Sequence, residues 1–296
     1  MATDNNLPVK TFHKASYTAI STSNPALSQA GRTVVVTGSS GGIGLAIARG
    51  FAEAQASTVI LTGRTATTLS AAASALAAEF PKTRIVHRLL DISDIEAVDA
   101  FWDSLDAQDT LVDVLVLSAA RVSMPMPIVK LGHREARADF EVNVGSNATF
   151  ADRFYNQAKR NTEQKLFLVN LSTLIIHDIN YAAHFPNYSA SKAAGTMLLQ
   201  NMSYGVFDSD MQIVSFHPGA IFTPGASKAG FTEDSLPYDN ESLPGHFAVW
   251  AASDDASFLH GRFVWASWDV EELKSAETRE RISNDASYLR IGVNGL

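Results

Sequence analysis

Tyr188 and Lys192, in the run Tyr188-Ser189-Ala190-Ser191-Lys192, are the two residues of this chain whose types and spacing best suit chemistry. Positions four apart on a helix share one face, so an ammonium can stand beside a phenol. A cation there favours phenolate and draws the tyrosine pKa down towards neutrality, where the group can exchange a proton with an alcohol or ketone oxygen. Alone, such a pair is ordinary on a solvated helix. It gains weight from a glycine-rich stretch far upstream, Thr37-Gly38-Ser39-Ser40-Gly41-Gly42-Ile43-Gly44.

The elements around that stretch follow from local pattern. Residues 32–37 form a β-branched run without polar alternation, which predicts a buried parallel strand. Residues 43–54 carry apolar side chains at helical spacing through Ile43, Ile47, Ala48 and Phe51. Strand, turn and helix in that order make a phosphate site. Gly38, Gly42 and Gly44 allow close backbone approach, while Ser40, Ile43 and the free N–H groups of the helix start face the anion. The spacing differs from the common Gly-x-Gly-x-x-Gly fingerprint.

Two further strand ends extend the site. The strand at residues 57–64 ends in Arg64, flanked by Thr62 and Thr65, with no acid. A carboxylate there would bind ribose hydroxyls and repel a 2′-phosphate, whereas a guanidinium suits that phosphate and favours NADP(H). An ordinary surface charge is the other reading of Arg64. The strand at residues 84–90 leads to Asp91, which can accept from an adenine amino group or cap the next helix. With Ser93 and Asp94 standing where caps stand, Asp91 is kept as the ligand.

Together these residues resemble the short-chain dehydrogenase/reductase superfamily over about residues 32–269. The resemblance implies a single doubly wound α/β domain of the Rossmann type. Its sheet would have seven mostly parallel strands, with helices on both faces. It implies Tyr188 as proton donor or acceptor, Lys192 holding the ribose, and Asn143 completing a proton relay. Pro218, Gly219, Ile221 and Thr223, from His217-Pro218-Gly219-Ala220-Ile221-Phe222-Thr223, would hold the nicotinamide end. Two places depart from the family pattern. Ser118-Ala119-Ala120 replaces Asn-Ala-Gly after the fourth strand, with Ala119 keeping the small residue beside the ribose. Asn170-Leu171-Ser172-Thr173 replaces Asn-x-Ser-Ser, so strict alignment gives the substrate oxygen to Thr173, with Ser172 the neighbouring candidate.

The implied activity is NADP(H)-dependent interconversion of a ketone and a secondary alcohol. The 263–265 strand and the tail are similar to fungal members of the superfamily, many of which act in secondary metabolism on polyketide or terpenoid ketones. An epimerase, isomerase or dehydratase using the same residues is the enzymatic alternative. A non-catalytic nucleotide-binding regulator is the other, and it would have no need of Tyr188, Lys192 and Asn143 together.

The whole chain sets the bounds. Its 296 residues, 46% apolar, suit one large α/β domain. A formal charge of −8 without a basic cluster argues against nucleic acid and anionic membranes. The absence of cysteine removes disulfides and thiolate metal sites, and the eight histidines show no ligand motif, so no metal is expected. No stretch has the composition of a membrane span or signal peptide, which predicts a soluble, cytoplasmic protein. Residues 1–30 read as an N-terminal arm, 223–243 as a substrate lid, and 270–296 as a charged tail that folds back as a helix. His177, Asp178, Tyr181, His184 and Phe185 are expected at the substrate pocket. A homodimer, or a tetramer of two such dimers, is expected from surplus apolar residues on two helices. These are Val144, Ala148, Phe150, Ala151 and Phe154 on one, and Ala193, Met197, Leu198 and Met202 on the other.

Overall fold

Four β-branched residues, Thr33–Val36, make the central strand β1, because such side chains pack well on both faces of a buried sheet. The computed structural model describes residues 7–161, 163–228 and 230–293. Around β1 lie β2 (Thr58–Gly63), β3 (Arg84–Leu89), β4 (Val114–Leu117), β5 (Leu166–Leu171), β6 (Met211–His217) and β7 (Arg262–Trp265). The seven strands run in the order β3-β2-β1-β4-β5-β6-β7, every pair parallel. The order reverses between β1 and β4, and a cleft opens beyond the carboxyl ends of strands at such a switch point.

Helices cover both faces. They are α1 (Gly42–Glu53), α2 (Ala66–Glu79), α3 (Ile95–Ala107), α5 (Pro186–Met202), α6 (Ser242–Ala251) and α7 (Ala276–Asn284). Between α3 and α5, α4 runs through His133–Phe140, a π-helical turn at Glu141–Gly145, and Ser146–Tyr155. Alternation along β1 separates two cores: Val34 and Val36 pack with Ile47, Phe51, Phe247 and Trp250, while Val35 packs with Trp102, Phe150, Phe154 and Leu199.

That second core corrects the expected surplus on α4. Phe150, Ala151 and Phe154 are fully buried within the single chain. The Trp102 ring meets Phe150 and Phe154 at centroid distances of 6.1 and 6.2 Å. The helical stripe is broad because α4 packs on both the sheet and α3. The outward remainder is Val144, Ala148, Ala193 and Leu198, half-buried, with Met197 exposed, while the half-buried Met202 packs against the second core.

The arm, from residue 7, lies against the C-terminal segment. Phe12 bridges Trp268, and the His13 amide donates to the Ser267 carbonyl at 2.7 Å. The Thr11 hydroxyl donates to Glu272 at 2.6 Å, and Ile20 and Leu27 enter the first core. Among the described residues, no helix is long and apolar enough to cross a membrane.

Candidate active site

Thr37 and Ser39 shape the turn after β1. The Thr37 hydroxyl accepts from the Ser118 and Ala119 amides at 3.0 and 3.1 Å, joining the turn to the end of β4. Ser39 donates through Oγ to the Val36 carbonyl at 2.8 Å and accepts from the Thr62 amide at 3.1 Å. Gly38 has φ +66°, and a Cβ there would stand 2.8 Å from Ala119 Cα. A Cβ on Gly44 would stand 2.5 Å from the Gly38 carbonyl oxygen. Backbones therefore meet backbones, as a turn that closes over a phosphate requires. The start of α1 has no side-chain cap, so its first N–H groups are free for an anion.

One cavity of about 800 Å³ runs along the strand ends. Its outer end holds Arg64 and Asp91; its waist holds Gly38, Ser40, Gly42, Ile43, Gly44, Ser118 and Ala119. Its inner end holds Ser172, Thr173, Tyr188, Lys192, Pro218, Gly219, Ile221 and Thr223. Arg64 is exposed and makes no ion pair among the described residues. Burial would raise the Asp91 pKa, but the Ser93 amide and hydroxyl and the Arg64 charge hold it below the usual carboxylate value. The next helix is capped by Asp94, which accepts from the Ala97 amide at 3.0 Å.

The inner end joins three elements. Tyr188 and Lys192 lie in the first two turns of α5, which starts at Pro186, the favoured first helical position for proline. The Lys192 ammonium is buried and donates to the Leu171 carbonyl at 2.5 Å; burial brings its pKa down to about 8. Burial, and then the negative charge of Asp139, push the Tyr188 phenol up to about 12. Lys192 is not among the groups that act on the phenol here; its ammonium is bound at the Leu171 carbonyl.

The two hydroxyl candidates differ in setting. Ser172 is buried and shares a 2.6 Å hydrogen bond with Thr196. Thr173 is half-buried, and its hydroxyl only accepts a long 3.5 Å bond from the Ile175 amide. Asn143 is placed in the π turn of α4, behind the cavity wall. Its amide donates to the Arg121 carbonyl at 2.8 Å and to Ser191 Oγ at 2.9 Å, and accepts from the Arg121 amide at 2.9 Å. A Cβ at Gly195 would collide with the Asn143 carbonyl oxygen, so α5 rests directly on that turn.

Residues after Thr173 depart from expectation. His177, Asp178, Tyr181, His184 and Phe185 do not line the main cavity. Asp178 caps a short helix, Ile179–Ala182, and the segment turns towards β7, where Trp265 Nε1 donates to His177 Nε2 at 3.2 Å. His177 and Asp178 instead line a separate cavity of about 300 Å³. The wall also includes His217, Phe231, Leu236 and Tyr238, the last three from the 223–243 segment, and Arg121, which the sequence did not single out. Burial takes the His217 pKa down to about 3, so the imidazole is neutral. The 223–243 segment is tied to the turn after β6 by Asp239, whose carboxylate accepts from the Ala220 amide at 2.9 Å.

A family model described as short chain dehydrogenase matches residues 32–234. A short chain dehydrogenase/reductase of Claviceps purpurea (strain 20.1) is 34% identical over 289 residues, covering 97% of this chain and 94% of its own. The chain belongs to the short-chain dehydrogenase/reductase family. Short chain dehydrogenase/reductase AacuD of Aspergillus aculeatus is also similar, at 33% identity over 97% of this chain and 96% of its own. Among solved structures, L-sorbose reductase from Gluconobacter frateurii, complexed with NADPH and L-sorbose, shares the fold. Its TM-score is 0.72 at 23% identity, covering 84% of this chain and 99% of that one. As a dehydrogenase/reductase the protein is an oxidoreductase with a nicotinamide cofactor. The glycine cradle that a Cβ would fill and the uncapped start of α1 fit that group.

Proposed function

We propose that this dehydrogenase/reductase interconverts a ketone and a secondary alcohol with NADP(H), with Tyr188 as the proton donor in reduction. The observation that carries the reading is the single cavity joining Arg64 at one end to Thr173, Tyr188 and Lys192 at the other. When bound, the nicotinamide supplies the hydride that adds to the carbonyl carbon. Arg64 pairs with the 2′-phosphate, Asp91 accepts from the adenine amino group, and the turn from Gly38 to Gly44 with Ser40 and Ile43 holds the pyrophosphate. Ser118 and Ala119 border the adenosine ribose; Pro218, Gly219, Ile221 and Thr223 hold the carboxamide end. Lys192 holds the nicotinamide ribose.

Tyr188 donates its proton to the carbonyl oxygen, which suits a phenol held protonated. Thr173 holds that oxygen, because the Ser172 hydroxyl is already engaged with Thr196. Asn143 fixes the Arg121 backbone and Ser191 behind the phenol. Phe231, Leu236 and Tyr238 offer an apolar and aromatic wall to the substrate. A polyketide or terpenoid ketone suits that wall. The outward remainder on α4 and α5, around Met197, is the face for a homodimer or a tetramer of dimers.

Tyr188→Phe tests the reading. NADPH absorbance with a panel of ketones should show turnover reduced by about 100- to 10 000-fold, with NADPH binding by fluorescence nearly unchanged. Turnover within about tenfold of wild type removes Tyr188 as the acid.

A further inference from the structure

The arm before β1 reaches the cavity by a route that the roles assigned above do not use. Residues 13–16 belong to no helix or strand, so their backbone groups must find partners elsewhere. They find them where the 223–243 segment meets α6. The Lys14 carbonyl accepts from the Asn240 amide at 2.7 Å, and the Ser16 amide donates to the Ser242 hydroxyl at 3.2 Å. Lys14 Nζ donates to the Pro237 carbonyl at 3.4 Å. The Ser16 hydroxyl lies 2.6 Å from His246 Nδ1 on α6, and His246 Nε2 lies 2.7 Å from Glu53 at the end of α1. A hydroxyl can donate or accept, so both bonds of His246 hold whether the ring is neutral or charged. Ser16 is thereby fixed against α6 and, through it, against α1.

Asn240 follows Asp239, and Asp239 grips the turn after β6. Its amide donates to the Ala220 carbonyl at 2.7 Å, and its carboxylate accepts from the Ala220 amide at 2.9 Å. One residue thus takes both backbone groups of Ala220. The approach is close: Gly219 has φ +92°, and a Cβ there would stand 2.5 Å from the Asp239 carboxylate. On the other side of Asp239, the Tyr238 ring packs on Phe222 at a centroid distance of 5.4 Å. Residues 238–240 therefore join the aromatic wall, the turn and the arm in three consecutive positions. The turn lies past the end of β6, beyond the strand ladder, so its shape depends on the bonds it finds there.

We propose that the arm is a positioning element for hydride transfer: Lys14 and Ser16 fix Asp239, and Asp239 sets the turn that receives the nicotinamide. This role rests on the reading of residues 218–223 as the nicotinamide end. Its effect falls on rate more than on cofactor affinity. The cofactor's phosphates make its charge-assisted contacts at the other end of the cavity, around Gly42 and Arg64. At the reacting end, a group misplaced by about 1 Å costs up to about 100-fold in rate.

The test begins without cofactor or substrate. Native-state hydrogen exchange of the Ala220 amide is compared between the wild-type chain and the double variant Ser16→Ala, Ser242→Ala. That variant removes the side-chain anchors beside Lys14 and leaves residues 219–240 unaltered. Exchange should quicken about tenfold or more; an unchanged rate overturns the link from arm to turn. Thr11→Val loosens the far end of the arm from Glu272 and should leave the Ala220 amide unmoved. An equal rise there would mean general loosening and overturn the route through Ser16. In ketone reduction, Asp239→Ala should lower kcat about tenfold with NADPH affinity within about threefold. Asp239→Asn keeps an oxygen for the Ala220 amide and should restore most of the rate; equal loss in both overturns the positioning role of that bond. If Asp239→Ala does not fold, kcat of the double variant takes its place, with an expected loss of about threefold. Quickened exchange beside full kcat in Asp239→Ala would sink the reading of the turn and with it the role in hydride transfer. Unchanged exchange would sink only the link to the arm.

Discussion

From Arg64 to Gly44 the cavity wall is made by short strand-to-helix turns whose backbones touch. From Thr173 to Tyr238 it is made by long connections that single side chains hold in place. At the first end a Cβ on Gly38 or Gly44 meets backbone atoms of Ala119 or Gly38, so the spacing of small residues is itself the structure. At the second end the shape depends on pairs remote in sequence, such as Asp239 with Ala220 and His177 with Trp265. A wall of backbone leaves a motif that can be read locally. A wall of remote side-chain pairs leaves none, and it is free to vary with the substrate.

Substitutions at the two ends should separate affinity for the cofactor from turnover. The largest effect is expected at the backbone end. Gly38→Ala forces a side chain into φ +66° and against Ala119, and should weaken NADPH by about 100-fold (about 2.8 kcal/mol) in calorimetric titration. A loss below about threefold would show that the turn does not hold the phosphates. Arg64→Asp comes next: NADPH should weaken about tenfold or more while NADH changes little, because only the 2′-phosphate meets the new charge. Wild type preferring NADH would reverse the assignment of that end.

At the other end, Thr173→Ala should lower kcat about tenfold (about 1.4 kcal/mol of barrier) without changing NADPH affinity. Ser172→Ala should instead lower thermal stability by about 1 kcal/mol, through loss of the bond to Thr196, with a smaller effect on rate. Rate loss confined to Ser172→Ala would exchange the two roles. The mildest contrast is in pH. Lys192, brought down from 10.5 to about 8 by burial, loses its charge as pH rises through about 8, whereas Tyr188 keeps its proton to about 12. NADPH affinity and reduction should therefore decline together above about pH 8. Lys192→Arg should remove that limb, because a guanidinium stays charged; a limb unmoved by this change belongs to another group.

How far the sequence could be read follows the same division. The strand, turn and helix around Gly38 were legible from β-branched residues and glycine spacing, and the strand ends at Arg64 and Asp91 followed from alternation of elements. Tyr188 and Lys192 share a helix face as expected, but the direction in which the lysine points was not legible, since the Leu171 carbonyl it binds lies 21 positions away. The histidines and aromatics after Thr173 were assigned to the pocket by proximity in sequence, but a 3-10 turn ending at His177 carries that residue to β7, and the others stand away from the main cavity. Phe150 and Phe154 read as surplus because nothing local reveals that α4 is covered by α3 as well as by the sheet. Asp139 did leave a trace. Spaced with Val142, Asn143 and Ser146, it is an acid on the inward stripe of a helix, where charged residues are rare.

The arm along the C-terminal segment carries a consequence for the order of events in folding. Phe12 and Trp268 meet at opposite ends of the sequence, and the bonds from Thr11 and His13 to Glu272 and Ser267 span similar separations. Closing so long a loop costs entropy before any contact compensates. These contacts should form after the parallel sheet has assembled and open before it comes apart. Native-state hydrogen exchange would then find the His13 amide, bonded to Ser267, released by a local opening of far lower energy than the amides of β1. The clip lies beyond β7, whose own edge the C-terminal segment already engages through the Phe263 amide and the Leu289 carbonyl at 2.8 Å, so the late contacts would fasten a segment that closes one side of the sheet.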